Sequence, residues 1–287
     1  MMTPNDRTAS MGSGIRVPVI GQGTWHMGEH PAQRAAEVRA LRLGLDRGMT
    51  LIDTAEMYGE GGAETVVGEA IAGHRDEVVL VSKVYPHNAG RKKAKTACER
   101  SLRRLGTDHL DVYLLHWRGS VPLSETVTAM EELRREGKIR EWGVSNLDTG
   151  DMRELWELPD GRNCVTDQVL YHAGSRGIEH DLLPWCREHE LPVMAYCPLA
   201  QGGRISRDLL GHPVMRRIAD EHGATPAQVA LAWAVRDGDV IAIPKATQEA
   251  HVRENAAALE VVLTPGELAE LDTAFPPPDG KRRLDIM

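Results

Sequence analysis

The chain has 287 residues, of which 41% are hydrophobic and 26% are charged, and its formal net charge is −8. This composition is typical of a soluble globular protein with a substantial core, and the length is common for a single α/β barrel. The negative charge disfavours a nucleic acid or an anionic membrane as the partner. We predict neither, and we infer no obligate protein partner.

The cysteines and the first residues indicate the compartment. Four cysteines lie far apart, with no CxxC pair and no zinc spacing: Cys98, Cys164, Cys186 and Cys197. The 12 histidines are scattered without regular ligand spacing, so no metal is expected. The N-terminus lacks the apolar core of a signal peptide, and no apolar run approaches the roughly 20 residues of a membrane span. We predict a cytoplasmic protein without a disulfide framework.

Helix and strand patterns alternate along the chain after its first, polar residues. We predict a flexible tail over residues 1–14 and one domain over residues 15–287. Extended segments are expected over 16–25, 51–53, 78–83, 110–116, 139–144, 164–169, 191–196 and 240–243. Helices are expected near 38–48, 63–73, 91–105, 123–137, 149–156, 178–189, 225–235, 248–258 and 265–274. These units predict an α/β fold, a single-domain (β/α)8 TIM barrel, because parallel strands require helical crossovers.

Four ionisable side chains fall at or just beyond the ends of successive predicted strands: Asp53, Tyr58, Lys83 and His116. Taken singly, each has an ordinary structural explanation, as a turn cap, a packed ring, a rim cation or a satisfied core histidine. Together they stand on the face where barrel enzymes carry their catalytic groups. The joint pattern therefore favours a catalytic site.

The chemistry of this set suits the reduction of a carbonyl group. A free tyrosine titrates near pH 10, and a neighbouring ammonium is expected to lower that value. Lys83 would supply the ammonium beside Tyr58, and Asp53 the counter-charge that a buried lysine requires. His116 would then orient the same substrate oxygen. The result is a proton donor aimed at an oxygen that becomes negative in the transition state.

The sequence resembles the aldo-keto reductase superfamily, whose members use an Asp-Tyr-Lys-His tetrad on a (β/α)8 barrel. The likeness runs from Gly21-Gln-Gly-Thr-Trp25 to Ile243-Pro-Lys245 and Arg253-Glu-Asn255. In detail it resembles the bacterial branch that includes methylglyoxal reductases, through Asp-Thr-Ala-Glu-Met-Tyr at 53–58 and Ser-Lys-Val-Tyr-Pro at 82–86. The resemblance implies an NAD(P)H-dependent enzyme with Asp53, Tyr58, Lys83 and His116 as catalytic residues.

The resemblance also implies a cofactor site for NADPH. Ser145, Asn146 and Gln168 correspond to residues that hold the nicotinamide carboxamide, and Tyr196 to the ring that stacks on it. The remaining implied contacts are Gly23, Thr24, Trp25 and Asp53 near the nicotinamide ribose, Pro198, Leu199 and Gln201 over the pyrophosphate, and Lys245, Ala246, His251, Glu254 and Asn255 around the adenosine 2′-phosphate and adenine. Tyr196 as a core residue and Asn255 as a surface helix residue are the structural alternatives.

Four positions depart from the family pattern and bear on cofactor choice. Asp167 replaces a frequent asparagine, Cys197 a frequent serine, Ala246 a common serine or threonine, and His251 a usual arginine. An arginine grips phosphate through two parallel hydrogen bonds, which histidine cannot do. Lys245 still provides a cation at the expected 2′-phosphate position. We therefore expect NADPH to be preferred, with NADH possible but weaker.

The substrate pocket is expected beside the tetrad. Trp25, Met57, Tyr85 and Trp117 flank the tetrad positions and would form a compact apolar pocket, unless Met57 only packs in the barrel rim. The expected substrates are small aldehydes, ketones and α-dicarbonyls such as methylglyoxal, reduced to alcohols with Tyr58 as the general acid. The physiological substrate and the oligomeric state are left open.

Two other functions remain as alternatives. A Schiff-base lyase would use Lys83 as its nucleophile, although Asp53 would keep that lysine charged. A cofactor-sensing subunit beside a membrane channel is the other, and the intact tetrad argues against it. A Rossmann glycine pattern, a Walker A motif and an HExxH motif do not occur.

Overall fold

The computed structural model describes residues 7–12 and 14–287. They begin with an antiparallel hairpin of β1 (Thr8–Met11) and β2 (Ile15–Pro18). Eight parallel strands then follow, each paired with the next in chain order: β3 (Gln22–Gly23), β4 (Leu51–Asp53), β5 (Val79–Val84), β6 (Leu110–Leu115), β7 (Ile139–Ser145), β8 (Cys164–Leu170), β9 (Val193–Tyr196) and β10 (Val240–Ala242). A parallel bridge between Ile20 and Ala242 joins the two edges of the sheet into a barrel.

Helices connect the strands and cover the barrel. The eight strands are followed in turn by α1 (Arg34–Asp46), α2 (Gly62–Ile71), α3 (Arg91–Leu105), α4 (Leu123–Arg135), α5 (Thr149–Trp156), α6 (Leu182–Glu188), α9 (Pro226–Ala234) and α10 (Glu249–Ala257). An insertion before α9 holds α7 (Gly203–Leu210) and α8 (Pro213–His222), and α11 (Pro265–Ala274) comes last. The prediction of a single-domain (β/α)8 barrel is confirmed.

Local sequence accounts for the helix ends. Thr225 accepts a hydrogen bond from the backbone of Gln228, whose side chain bonds back to the Thr225 amide, so a capping box begins α9 with Pro226 in its first turn. At the other end of a helix, Gly106 takes a left-handed conformation and its amide caps the Leu102 carbonyl of α3. Both boundaries agree with the sequence prediction.

Two buried layers hold the barrel together. The inner layer contains strand residues such as Leu51, Val81 and Val112, and the outer layer packs strand residues against the helices. Met11 and Val17 of the hairpin are fully buried in the inner cluster. The hairpin therefore closes the amino-terminal end of the barrel and leaves the opposite end open.

The hairpin corrects the predicted flexible tail. Residues 8–11 alternate between exposed and buried positions, and Ala9 and Met11 face the core. This period-two pattern is only two buried residues long, too short to predict a strand from sequence. Residues 1–6 and residue 13 of the predicted tail lie outside the described residues. In the described part of the chain, no helix is long and apolar enough to cross a membrane.

Candidate active site

A buried ion pair stands at the open end of the barrel. Asp53 ends β4, and Lys83 lies near the end of the neighbouring β5. The Lys83 Nζ is 2.8 Å and 2.7 Å from the two Asp53 carboxylate oxygens, and it also donates to the Thr54 carbonyl at 2.9 Å. Burial raises the pKa of Asp53 and lowers the pKa of Lys83, while each charge favours the ionised form of the other. The Lys83 and Asp53 side chains are 0% and 3% exposed, so each buried charge depends on the other for compensation.

Tyr58 completes this group from the loop after β4. Its Oη lies 3.2 Å from Lys83 Nζ and accepts a hydrogen bond from the ammonium. A phenol oxygen that accepts from one side keeps its own O–H for another acceptor. The Tyr58 hydroxyl therefore keeps its O–H free for an acceptor in the adjoining cavity, which Tyr58 lines.

The Tyr58 pKa differs from the sequence expectation. We expected Lys83 to lower it, but burial and then the charge of Asp53 raise the Tyr58 pKa well above 10. The physical reason is that burial disfavours the charged phenolate, and the nearby Asp53 carboxylate repels it. Tyr58 is thus a neutral phenol at neutral pH, which is the protonation state that a general acid needs.

His116 follows β6 and lines the same cavity as Tyr58. Its ring stands edge-on to the Tyr58 ring, with centroids 5.8 Å apart. Burial, and then the charge of Lys83, lower the His116 pKa to about 2. The imidazole is therefore neutral, and its single N–H is available to orient an oxygen without adding a charge.

A cavity of about 980 Å³ opens directly onto the tetrad. Of the predicted catalytic and substrate residues, Asp53, Tyr58 and His116 line it together with Trp25, Met57 and Trp117. The predicted cofactor residues on its wall are Gly23, Thr24, Trp25, Asp53, Ser145, Asn146, Gln168, Tyr196, Pro198, Leu199, Gln201 and Lys245. The structure thus brings most of the predicted site to one place.

The predicted carboxamide residues form a connected network. Gln168 Nε2 donates to Asp53 Oδ1 at 2.8 Å, which links this network to the tetrad. The Tyr196 hydroxyl donates to Asn146 Oδ1 at 2.9 Å, and Asn146 Nδ2 donates to the His116 carbonyl at 3.1 Å. The amide side chains and the Tyr196 ring are therefore fixed in advance.

This network has free groups that match a nicotinamide carboxamide. Gln168 Oε1 accepts no hydrogen bond from the described residues, and Asn146 Oδ1 keeps a second lone pair. Farther along the cavity, Gln201 Oε1 is buried without a hydrogen-bond partner among the described residues. A flat amide beside the Tyr196 ring fits these acceptors, so the residues present fit the predicted cofactor.

Other predicted residues stand away from the cavity wall. Ala246, His251, Glu254 and Asn255 do not line it, and His251 is exposed on α10. Asn255 is only 4% exposed, so its interpretation as a surface helix residue is wrong. Tyr85 lies behind Trp117, edge-on with ring centroids 5.9 Å apart, and its backbone amide is held by Glu56. Tyr85 supports the wall rather than forming it.

The sequence analysis missed the last residues of the chain. Arg283, Leu284, Ile286 and Met287 line the cavity from its rim. Their apolar residues alternate at 284 and 286, but a two-residue alternation after a proline-rich stretch is too weak a signal to place them. It also missed the cavity residues His26, Arg118, Asp148 and Asp151.

Asp167 is a buried acid beside the carboxamide network. It precedes Gln168 in β8, is fully buried, and neither carboxylate oxygen has a close hydrogen-bond partner among the described residues. Burial raises its pKa well above 3.8, with only the backbone of Leu147 opposing, and the nearby charges of Asp148 and Asp151 raise it further. Asp167 is therefore protonated in conditions where most aspartates are ionised.

Comparison with known proteins identifies the family. The family model described as "Aldo/keto reductase family" matches residues 19–275. The chain belongs to the aldo/keto reductase family. This membership confirms the family and the enzyme class, an oxidoreductase, that the sequence predicted.

Similar proteins resemble this reductase over nearly its whole length. Methylglyoxal reductase YeaE of Escherichia coli is 61% identical over 273 residues, which cover 95% of this chain and 96% of that protein. Two crystal structures of a Klebsiella pneumoniae aldo/keto reductase, one with NADP and acetate and one with NADPH, each have 61% identity and a TM-score of 0.96. Each alignment covers 98% of this chain and 99% of the other. In the described residues, no group of three or more potential metal ligands occurs.

Proposed function

We propose that this reductase uses NADPH to reduce small aldehydes and α-dicarbonyls such as methylglyoxal to alcohols, with Tyr58 as the general acid. The family, a methylglyoxal reductase 61% identical to the chain, and similar structures that hold NADP or NADPH support the reaction and the cofactor. The observation that carries the proposal is that Tyr58 and Asp53 line the cavity and both contact the buried Lys83 ammonium.

The proton donor works through charge placement. NADPH supplies the hydride that reaches the carbonyl carbon, and the carbonyl oxygen gains negative charge as it arrives. Tyr58 donates its proton to that oxygen, and Lys83, 3.2 Å from the phenol oxygen, stabilises the phenolate left behind. His116 donates a hydrogen bond to the same oxygen and sets its direction.

The carboxamide network orients the reactive ring. Ser145, Asn146 and Gln168 hold the carboxamide, while Tyr196 packs against the flat face of the nicotinamide. Because Tyr196 is tied to Asn146, ring and amide contacts are positioned as one unit. Such fixed positioning lowers the entropic cost of reaching the reactive arrangement.

The cavity wall favours compact carbonyl compounds. Trp25, Met57 and Trp117 present apolar surface beside the tetrad. Small aldehydes and α-dicarbonyls place their carbonyl at Tyr58 and their remaining atoms against these side chains. Lys83 itself is a poor nucleophile for a Schiff-base lyase, because its ion pair with Asp53 and its hydrogen bond to the Thr54 carbonyl favour the protonated amine.

The replacement Tyr58→Phe tests the proposal. It removes the proton donor and keeps the ring, so kcat for methylglyoxal should fall by about a hundredfold or more. The dissociation constant of NADPH should change less than about threefold, because the hydroxyl acts only in the transition state. Stopped-flow NADPH oxidation and fluorescence titration measure the two quantities.

A matched control is Tyr113→Phe. The Tyr113 hydroxyl is buried without a hydrogen-bond partner among the described residues and lies in the outer core, so its loss should leave turnover intact. If Tyr58→Phe keeps kcat within tenfold of the unmodified enzyme, Tyr58 is not the general acid.

A further inference from the structure

The cations on the cavity wall differ in whether they are already paired. Arg118 lies on the wall but is bound by Asp151 and Glu154. His26, also on the wall, contacts Glu29 at 2.8 Å. Arg283 lines the same cavity, is exposed, and makes neither a hydrogen bond nor an ion pair with the described residues, as is also true of the Lys245 side chain. Its guanidinium is therefore available to a ligand.

The neighbours of Arg283 in sequence show that an unpaired cation on the cavity wall is not a general feature of the segment. Lys281 pairs with Asp181 at 3.1 Å, and Arg282 pairs with Asp279 at 3.3 Å. Neither of these cations lines the catalytic cavity. Of three successive basic residues, only Arg283 combines an unpaired charge with a place on the wall.

Contacts on the C-terminal side hold Arg283 at the rim. Leu284 packs against the outer core, and Asp285 accepts a hydrogen bond from the hydroxyl of Ser175. Two residues farther on, the Met287 sulfur lies 3.6 Å from the Cys197 sulfur. These anchors fix the backbone beside Arg283 while leaving its side chain free to meet a ligand.

The acidic groups on the wall do not neutralise Arg283. Asp151 is engaged by Arg118, and Asp148 accepts hydrogen bonds from the backbone amides of Gly150 and Asp151 at the start of α5. An unpaired guanidinium offers five N–H donors in a planar fork that matches a carboxylate. The wall thus combines a carbonyl-reducing group with a separate anion-binding group.

We propose that Arg283 binds the carboxylate of anionic carbonyl substrates, so that the enzyme accepts aldehyde acids and keto acids as well as neutral carbonyl compounds. This proposal rests on the carbonyl reduction proposed above. The carbonyl group lies at Tyr58 and the carboxylate at the rim, with the carbon skeleton against the apolar wall. Substrate length then decides which acids reach both groups.

The test compares 4-carboxybenzaldehyde with its methyl ester, which has the same skeleton and no charge. We measure kcat/KM for both compounds with the unmodified enzyme, Arg283→Met, Arg283→Lys and Arg282→Met, each at low and at high salt. In Arg283→Met the ratio of acid to ester should fall about fivefold, the loss that about 1 kcal/mol in a partly exposed ion pair produces. The ratio of acid to ester in Arg283→Lys should lie between those of the unmodified enzyme and Arg283→Met.

The control separates a specific site from the general surface potential. Arg282→Met removes the same charge one residue away and should keep the ratio of the unmodified enzyme. Added salt should lower the ratio in the unmodified enzyme but not in Arg283→Met. An equal ratio in the unmodified enzyme and Arg283→Met, or an equal fall in Arg282→Met, overturns the proposal. Failure of the unmodified enzyme to reduce even the ester would instead refute the proposed function.

Discussion

Lys83 is the residue that joins structure and chemistry in this site. Its ammonium contacts both oxygens of Asp53, the Thr54 carbonyl and the Tyr58 hydroxyl, all within 3.2 Å. Removing it would leave the Asp53 charge buried without a partner, which destabilises a fold by about 3–5 kcal/mol. Loss of activity in a Lys83 variant therefore mixes folding with catalysis, and Tyr58→Phe is the cleaner probe of the proton donor.

Asp167 makes the stability of the fold depend on pH. Its pKa in the folded state lies above the unfolded value, so the folded protein keeps a proton that the unfolded chain loses. Stability from this residue is greatest below the unfolded pKa of about 3.9 and is lost as pH rises toward the folded pKa. The groups facing it are acidic or neutral: Asp148, Asp151, Cys164, Cys186 and Tyr196.

The replacement Asp167→Asn should therefore stabilise the protein. Asparagine has nearly the same shape and carries no charge, so the cost of keeping a proton at neutral pH disappears. We expect Tm to rise by about 2 °C at pH 7.5, the shift that about 1 kcal/mol produces in a domain of this size, with little difference near pH 4. Differential scanning calorimetry between pH 4 and 8 measures the gap. A gap that stays constant with pH contradicts a protonated Asp167.

At the scale of elements, the loop after β3 fits tightly against the start of α2. Gly28 has φ +73°, and a Cβ on it would come within 2.2 Å of the Gly62 carbonyl carbon and 2.5 Å of its oxygen. Those atoms belong to the backbone and cannot move aside as a side chain does. The contact fixes the start of α2 next to the loop that carries Tyr58.

The replacement Gly28→Ala tests this contact. The added methyl group meets the backbone in a left-handed conformation, so we expect a loss of about 3 kcal/mol or more in unfolding free energy and lower kcat. Gly48→Ala is the control, because Gly48 has φ +85° with no atom within 4 Å of the added Cβ. It should lose only the conformational cost of about 1 kcal/mol. Urea unfolding measures both, and equal losses would show that the Gly62 contact contributes nothing.

Elements with a regular pattern were predictable from sequence. Helix α3 occupies Arg91–Leu105, as its apolar spacing and Gly106 predicted, and β4 ends at Asp53 as expected. The burial of Asp167 was not predictable, because a single polar residue in a strand does not reveal which layer it meets. The segment at Arg283 was also missed, since its position depends on contacts with Ser175 and Cys197 that are distant in sequence.

The tetrad shows the same limit for electrostatics. The sequence placed Asp53, Tyr58 and Lys83 at strand ends, and the structure brings them into contact. It did not predict the direction of the Tyr58 pKa shift, because that direction depends on the burial of the phenol and on its distance from the Asp53 charge. Such terms depend on distances that only the folded chain defines.

At the scale of the whole molecule, cofactor binding should stabilise the barrel. NADPH at about 100 times its dissociation constant adds about 2.7 kcal/mol to the unfolding free energy, which corresponds to a rise of about 5 °C in Tm. Lys245 lies on the cavity wall, exposed and without an ion pair among the described residues. Its ammonium is therefore free to bind the 2′-phosphate of NADPH. We expect a smaller rise with NADH at the same concentration.

The replacement Lys245→Met gives the matched comparison. It should reduce the rise in Tm produced by NADPH and leave that produced by NADH nearly unchanged, because NADH lacks the 2′-phosphate. Differential scanning fluorimetry of both proteins with both cofactors suffices. Equal losses for the two cofactors would remove Lys245 from the phosphate site, and His251→Arg, in the same experiment, shows whether α10 reaches the phosphate.

The hydrogen bond from Gln168 to Asp53 crosses the barrel from β8 to β4 and joins the carboxamide network to the proton donor. Coupling between two such groups is reciprocal, so a change in one is felt by the other. For directed evolution of this enzyme, the candidate positions therefore fall into two groups. Changes at Gln168 alter cofactor orientation and proton transfer together, whereas the side chains of Arg283 and His251, which make no hydrogen bond with the described residues, can vary one property at a time.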